Sequence, residues 1–359
     1  DNFLVLLGDV PFLSESSVIK IKEQLESHKL VILTAHVKDP TGYGRISKDK
    51  DGKPSAIIEE LDCNDEQKKI KEINSGIMAF NTETAKSLIE KIDPNPKKNE
   101  YYLTDAIEIA YHEGIGATTH STSEEEVFGV NSKKDLAEAE KINRKKTASD
   151  LMDAGVTIID PERIDVRGTL TCGNDVTIDV NTVFVGDVRL ADGVTVGPFT
   201  LISNSEIGEA TNIHSHSSID GASIGSRCNI GPFARIRPET ELKEGAKVGN
   251  FVETKKTIIG KGSKVNHLTY VGDAVIGKNT NIGAGTITCN YDGVNKHKTV
   301  IGDEVFIGSG VELVAPIDVE DGATVGAGST ISKHAPREKL TIERSKQKTI
   351  DGWKRPNKK

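Results

Sequence analysis

From Ile178 to Ile331 an aliphatic side chain returns almost every six residues. The stretch Ile301, Ile307, Leu313, Val319, Val325 and Ile331 keeps that interval without a slip. The same beat runs earlier through Ile178, Phe184, Leu190, Val196 and Ile202, then Ile207, Ile213 and Ile219. After two steps shortened to five it goes on through Ile224, Ile230, Ile236, Leu242 and Val248. A period of six fits neither the helical repeat of 3.6 nor one long strand of period two. It is the signature of a parallel β-helix, in which each hexad supplies one short strand and a turn. With three strands per turn, the span from about Val156 to Lys333 predicts a stack of coils of about 18 residues each.

Composition agrees with a narrow solenoid interior. Of the 359 residues 36% are hydrophobic and only 4% aromatic, which is lean for a layered core but sufficient for stacked Ile, Val and Leu. The length leaves room for a second domain. A formal net charge of −8 would repel phosphates, so no nucleic-acid partner is expected. Cys63, Cys172, Cys228 and Cys289 form no C-x-x-C pair and read as free thiols of a reducing, cytoplasmic compartment. No apolar run approaches the ~20 residues of a membrane span, and no signal peptide is visible.

The first 131 residues read as an α/β unit. A buried strand at Phe3–Leu7 leads into Gly8-Asp9-Val10-Pro11, and Ser14 is placed to cap a helix over Glu15–Ser27. Further strands are expected at Val31–Thr34 and Ile77–Phe80. Arg45–Ile46 and Ala56–Glu60 flank the turn Asp49-Lys50-Asp51-Gly52 as a hairpin. A helix to about Lys91 and a Pro-rich loop, Asp93–Asn99, follow. The alternation predicts a doubly wound sheet. The chain begins at Asp1, within a residue or two of an apolar strand, so the expectation is that part of this domain precedes it. Residues 132–154 are charged, lack Pro, and carry Gly only at Gly155 beyond their end; they predict a solvated linker helix with Leu136, Ile142, Leu151 and Met152 as its sparse apolar positions.

The hexad beat breaks once, between Ile282 and Ile301, where Gly283-Ala284-Gly285-Thr286-Ile287-Thr288-Cys289-Asn290-Tyr291-Asp292-Gly293-Val294-Asn295-Lys296 abandons the pattern. A loop leaving a rigid prism is where binding groups concentrate.

Several segments together are specific. They include Gly231-Pro232-Phe233-Ala234-Arg235-Ile236-Arg237-Pro238, Val248-Gly249-Asn250-Phe251-Val252-Glu253-Thr254-Lys255-Lys256, His267-Leu268-Thr269-Tyr270 and Thr288-Cys289-Asn290-Tyr291-Asp292-Gly293. In the first half Pro40-Thr41-Gly42-Tyr43-Gly44-Arg45, Glu72-Ile73-Asn74-Ser75-Gly76, Glu100-Tyr101-Tyr102-Leu103-Thr104-Asp105 and Gly129-Val130-Asn131 join them, as does Gly352-Trp353-Lys354-Arg355-Pro356 at the end. In this order they resemble the bifunctional N-acetylglucosamine-1-phosphate uridyltransferase/glucosamine-1-phosphate acetyltransferases of bacterial cell-envelope synthesis. The resemblance implies an incomplete Rossmann-like nucleotidyltransferase domain (1–131), a linker helix (132–154), and a left-handed parallel β-helix acetyltransferase domain with a C-terminal tail (155–359). Left-handedness would be an exception to the right-handed crossover rule.

Acetyl transfer to an amine needs a base, oxyanion donors, and cations for a sugar phosphate. Arg237 and Lys255 can grip phosphate, Arg in bidentate fashion and Lys as a point charge. The resemblance assigns glucosamine-1-phosphate to Arg237, Lys255, Tyr270 and Asn281, and the general base to His267, imidazole being the side chain whose unperturbed titration falls near neutrality. It assigns acetyl-CoA to Ala284, Asn290, Tyr291, Ser309, Ala327 and Arg344, with an active homotrimer. None of the cysteines is needed as a nucleophile; Cys289 lies close enough for alkylation to block the site. For the nucleotidyl half, which uses UTP and yields UDP-N-acetylglucosamine, it implies Mg²⁺ on Asp9 and Asn131, and the sugar nucleotide on Gly44, Glu59, Asn74 and Asn131.

There are departures. The Gly-rich loop L-A-A-G-x-G-T-R-M-x-S and the Gln and Gly-Thr positions for uracil are absent, so the expectation for this polypeptide is no uridylyl transfer. Asn99 stands where Gly is common, which Asn tolerates, and Ile350 where some members have Lys. Two other readings compete. One is a zinc hydrase using His214 and His216 on one strand face; the other is a non-catalytic scaffold.

Overall fold

In the computed structural model, residues 1–94 and 100–355 are described. Asn99, most of the Pro-rich loop and the tail from Pro356 lie outside them. The chain divides into two compact units, Asp1–Ile142 and Asn143–Lys359.

The first unit is a six-stranded sheet built from β1 (Asn2–Val5), β2 (Leu30–His36), β3 (Arg45–Lys48), β4 (Pro54–Ile58), β5 (Glu72–Asn81) and β6 (Ala117–Thr122). Its order is β4-β3-β5-β2-β6, with β1 paired to β5. Helices cover both faces. Leu30 and Ile32 of β2 face α2 (Thr82–Ile89) and α3 (Asp105–His112) through Ala85, Leu88, Ala106 and Ile107. The alternate residues Val31, Leu33 and Ala35 meet Ile21 of α1 (Glu15–Gln24). Both faces of β2 are therefore buried, which is why it opens on the apolar run Leu30–Leu33 rather than alternating. Ser14 caps α1 as expected, its hydroxyl accepting from the Ser17 amide at 3.1 Å.

The doubly wound layering holds, with helices on both faces, and one expectation changes. Most pairings in this sheet are antiparallel and only β2–β6 is parallel. The reason is connectivity: β2 reaches β5 through the β3–β4 hairpin, and a return without a crossover helix reverses direction. The strand expected to be buried at residues 3–7 is instead an exposed strand, Asn2–Val5. Among the described residues it pairs with β5 alone, and Phe3, Leu6 and Leu7 are exposed.

A single helix, α4, runs Lys133–Asp153. Of its apolar residues Leu151 is buried, whereas Leu136 and Met152 are exposed.

The second unit is a parallel β-solenoid. Eleven strands, from Thr157–Ile158 to Leu340–Thr341, form one face. The other two faces are joined into a 15-stranded sheet because long strands such as Thr182–Leu190 and Tyr270–Ile276 turn the corner between them. Every aliphatic of the six-residue beat points inward: Ile178, Val196, Ile213, Ile230, Val248, Ile307 and Val325 are all fully buried and stacked in register. The recurring aliphatic–Gly pair has a packing cause. A Cβ on Gly208 would fall 2.5 Å from the backbone of Gly225 in the next coil. The column extends past the expected end at Lys333, to Leu340–Thr341. The broken beat is also narrower than its sequence implied. Ile287–Cys289 still forms a coil strand, paired with Glu312–Val314, and the excursion is confined to Asn290–Lys298.

Candidate active site

His267 ends the strand Lys264–His267, in register with Asn250 one coil below. Its Nδ1 lies 2.9 Å from Asn250 Oδ1. A carbonyl oxygen can only accept, so in the neutral imidazole Nδ1 carries the proton and Nε2 the lone pair, on an exposed residue. Tight corner geometry fixes the backbone here: Leu268 is left-handed at φ +47°, and Thr269 Oγ1 donates to the His267 carbonyl at 2.6 Å.

On the adjoining face the structure gathers cations. Arg237 Nη1 donates to Glu253 Oε1 at 2.7 Å. The Lys255 ammonium meets that of Lys296, with Arg237 and Asp273 close by; Lys296, then desolvation and Arg237, hold Lys255 below its ordinary lysine range. Tyr270 belongs to the same group. A Cβ on Gly272 would come within 2.4 Å of the Tyr270 hydroxyl and 2.8 Å of Asn290 Nδ2, so only glycine lets both groups close in. Asn290, 7% exposed, donates from Nδ2 to Asp273 Oδ2 at 2.5 Å. Arg237, Lys255, Tyr270 and Asn290 are thus brought together. Asn281 is not: it stands in register with Lys264 and Phe306 on the other face. Lys296, Asp273, Glu253 and Asn250 were not singled out from the sequence. For Lys296 a signal existed, since it lies in the segment where the six-residue beat breaks.

Above His267, the residues assigned to acetyl-CoA form a line. Ala284, Ser309 and Ala327 occupy the same corner of successive coils; Gly310 N donates to the Ala284 carbonyl at 2.7 Å and Gly328 N to that of Ser309 at 2.9 Å. Arg344 continues the line, its Cδ at 4.0 Å from where a Cβ of Gly328 would stand. Small side chains with a cation at the end leave an open track for an extended anionic molecule. Tyr291 is exposed on the loop, its hydroxyl donating to Gly293 O at 2.6 Å. Asp292 ties that loop, accepting from the amides of Val294 and Asn295 at 2.8 and 2.6 Å and pairing with His297 Nε2 at 2.7 Å. The His297 contact, then the two amides, hold its carboxyl well below the usual range. The Cys289 thiol is pushed up by burial and by Glu312, which makes it a poor nucleophile.

In the first unit, Gly44, Glu59 and Asn74 are neighbours. Asn74 N donates to Gly44 O at 2.8 Å, and Glu59 carboxylate oxygens lie 3.5 Å from where a Gly44 Cβ would be. Thr104, missed from the sequence, donates to Glu59 Oε1 at 3.2 Å. Val130 N donates to Asp9 O at 2.8 Å, which brings Asp9 beside Asn131. One carboxylate and one carboxamide are hard oxygen donors of the kind Mg²⁺ takes when water and substrate phosphates complete its shell. In donor chemistry the two residues suit that ion. Among the described residues no cluster of three or more His, Cys, Asp or Glu side chains assembles a metal site.

The histidine pair fails as a metal site on geometry. His214 Nε2 is bonded to Asn229 Oδ1 at 2.7 Å, while His216, at φ +60°, turns the corner and stacks between Phe199 and Phe233. The corner breaks the alternation that would have put both rings on one face.

Among the described residues no helix is long and apolar enough to cross a membrane. Residues 298–333 match the family model "Bacterial transferase hexapeptide (six repeats)". The Bifunctional protein GlmU of Ralstonia pickettii (strain 12J) is 50% identical over 354 residues, covering 98% of this chain and 78% of that protein. Its namesake from Janthinobacterium sp. (strain Marseille) is 49% identical with the same coverage. That of Marinobacter nauticus (strain ATCC 700491 / DSM 11845 / VT8) is 47% identical, covering 99% of this chain and 78% of its own. By these relationships the chain belongs to the GlmU family of bifunctional proteins and is a transferase carrying a hexapeptide-repeat β-helix.

Proposed function

We propose that the second unit transfers acetyl from acetyl-CoA to the 2-amino group of glucosamine-1-phosphate. The observation that carries this reading is an exposed imidazole with its Nε2 lone pair free, three residues along the chain from Tyr270 of the Arg237, Lys255 and Lys296 cluster. The cations hold the sugar phosphate, which bears about −1.5 to −2 charge at neutral pH. Nε2 of His267 takes a proton from the amine as nitrogen attacks the thioester carbonyl. The C–N bond forms, the C–S bond breaks, and the imidazolium returns its proton to the departing thiolate. No covalent enzyme intermediate is required, in keeping with the suppressed Cys289 thiolate. The corner line Ala284, Ser309, Ala327 supports a track for the pantetheine arm, and Arg344 a contact for a CoA phosphate. A thiol-release assay with acetyl-CoA and a panel of amino-sugar phosphates tests the reading; no release with glucosamine-1-phosphate refutes it.

The working unit is a homotrimer in this proposal. Phe199, His216, Phe233 and Phe251 stack at 5.0, 4.7 and 5.3 Å into an exposed ridge along the same corner as His267, a surface that a neighbouring prism of equal axial repeat can cover.

For the first unit, Gly44, Glu59, Asn74 and Asn131 are assigned to UDP-N-acetylglucosamine, and Asp9 and Asn131 to Mg²⁺. Bound Mg²⁺ supplies charge neutralisation at the phosphates; the chain's own residues orient the sugar. This sequence contains no Gly-rich triphosphate loop of the type described above, so a polypeptide of these 359 residues is expected to acetylate without transferring uridylyl from UTP.

A further inference from the structure

Asp273 has no assigned role, yet it sits where the two halves of the acetyl-transfer site meet. It belongs to a corner column that also holds Glu239 and Lys256, all three in the left-handed region at φ +49°, +63° and +48° respectively. The pairing of Glu253–Ile259 with Tyr270–Ile276 skips it, running Lys255 to Gly272 and then Thr257 to Ala274. One coil further along stands Asn290, the residue at which the loop departs. Asn290 Nδ2 donates to Asp273 Oδ2 at 2.5 Å.

That bond has a chemical consequence. A carboxamide can offer either a donor or an acceptor to a ligand. With one of its two amide N–H groups held by a carboxylate, the Asn290 carboxamide is fixed in orientation, and its Oδ1 is the acceptor that the amine of an amino sugar, a donor, can use. Asp273 is also the carboxylate common to Lys255 and Lys296. Lys255 faces Lys296 of the loop, Arg237 from the coils below, and Asp273. Lys296 faces Lys255, Asp273, Tyr270 and Arg237, while Glu253 is engaged by Arg237.

We propose that Asp273 is a positioning residue for acetyl transfer: it locks the Asn290 carboxamide with Oδ1 toward the acceptor amine and sets a carboxylate beside Lys255 and Lys296 where the sugar phosphate would bind. The inference rests on the acetyltransferase reading above.

The test is steady-state kinetics of Asp273→Ala and Asp273→Asn in the full chain, each first shown to unfold near the wild-type temperature. Asp273→Ala should raise KM for glucosamine-1-phosphate by about tenfold, the scale of losing a hydrogen bond to a charged group, and should change KM for acetyl-CoA less, since Asn290 is the one acetyl-CoA residue that Asp273 touches. Asp273→Asn keeps an acceptor for Asn290 and should recover part of the lost affinity for glucosamine-1-phosphate. Both variants lose the counter-charge, so the alkaline limb of kcat/KM for the sugar phosphate should move to lower pH in both. Wild-type kinetics in both variants would overturn the proposal. So would a uniform loss of kcat with both KM values and the pH limb unmoved. A wild-type chain inactive toward glucosamine-1-phosphate sinks the functional reading and this inference with it, whereas an active wild type with unaltered variants sinks the inference alone.

Discussion

The Nδ1 atom of His267 is held 2.9 Å from Oδ1 of Asn250, one coil away along the prism. The contact selects the tautomer whose basic nitrogen faces outward, so two separate losses are expected. His267→Ala removes the base and should lower kcat by about 10²–10⁴. Asn250→Ala leaves the imidazole but frees its tautomer and should cost about tenfold. Because both side chains are at least partly exposed, thermal unfolding should stay near wild type. A His267→Ala protein with full thiol release would remove His267 from the chemistry.

Lys255 carries the clearest pH prediction. Its contact with Lys296 depresses its pKa, so its charge is complete at low pH and disappears as pH rises through a value below the ordinary lysine range. Affinity for the sugar phosphate should therefore fall on the alkaline side earlier than a lone lysine would dictate. In Lys296→Ala the limb should move to higher pH, although phosphate binding weakens overall. Measuring KM for glucosamine-1-phosphate from pH 7 upward checks both shifts; an unmoved limb in Lys296→Ala contradicts the pairing.

Cys289 should prove a bystander. Burial and Glu312 raise its thiol pKa, so near neutrality it is protonated and slow to alkylate. Cys289→Ala is expected to retain activity within about twofold. Rapid inactivation by iodoacetamide that this substitution prevents, together with loss of activity in Cys289→Ala itself, would contradict that.

The solenoid interior should respond as a packed column. Ile307 is fully buried between Ile282 and Val325. Ile307→Ala is expected to cost about 2–5 kcal/mol, the sum of lost transfer energy and an unfilled cavity. Ile350, 73% exposed, should tolerate the same change without measurable effect. Urea titrations of the two variants, compared in one experiment, decide the matter; equal midpoints would deny the column its role.

The aromatic ridge predicts association. Replacing Phe233 and Phe251 together by Ser should dissociate the oligomer in sedimentation velocity and reduce thiol release in parallel. A double variant that sediments as wild type would place the interface elsewhere.

The β-helix was readable because its rule is local. A side chain every six residues either fills the narrow interior or does not, and Ile178, Ile213, Ile230, Ile307 and Val325 all do. The Ser14 cap and the β3–β4 hairpin were readable for the same reason, being set by neighbours a few residues apart. Family motifs named Arg237, Lys255, Tyr270 and Asn290, and the fold brings these together.

What lay beyond the sequence was everything decided between coils or between strands. That Lys296 meets Lys255 across 41 positions, that Asp273 takes the Asn290 amide, and that Asn281 stands apart from the cluster follow from how coils stack once a loop has shifted their register. The direction of β5 and the exposure of Phe3 likewise depend on which strand each one pairs with. Periodicity fixes which side chains point inward, because each turn repeats the last. It cannot fix which polar groups converge, because that depends on distances between residues the chain keeps far apart.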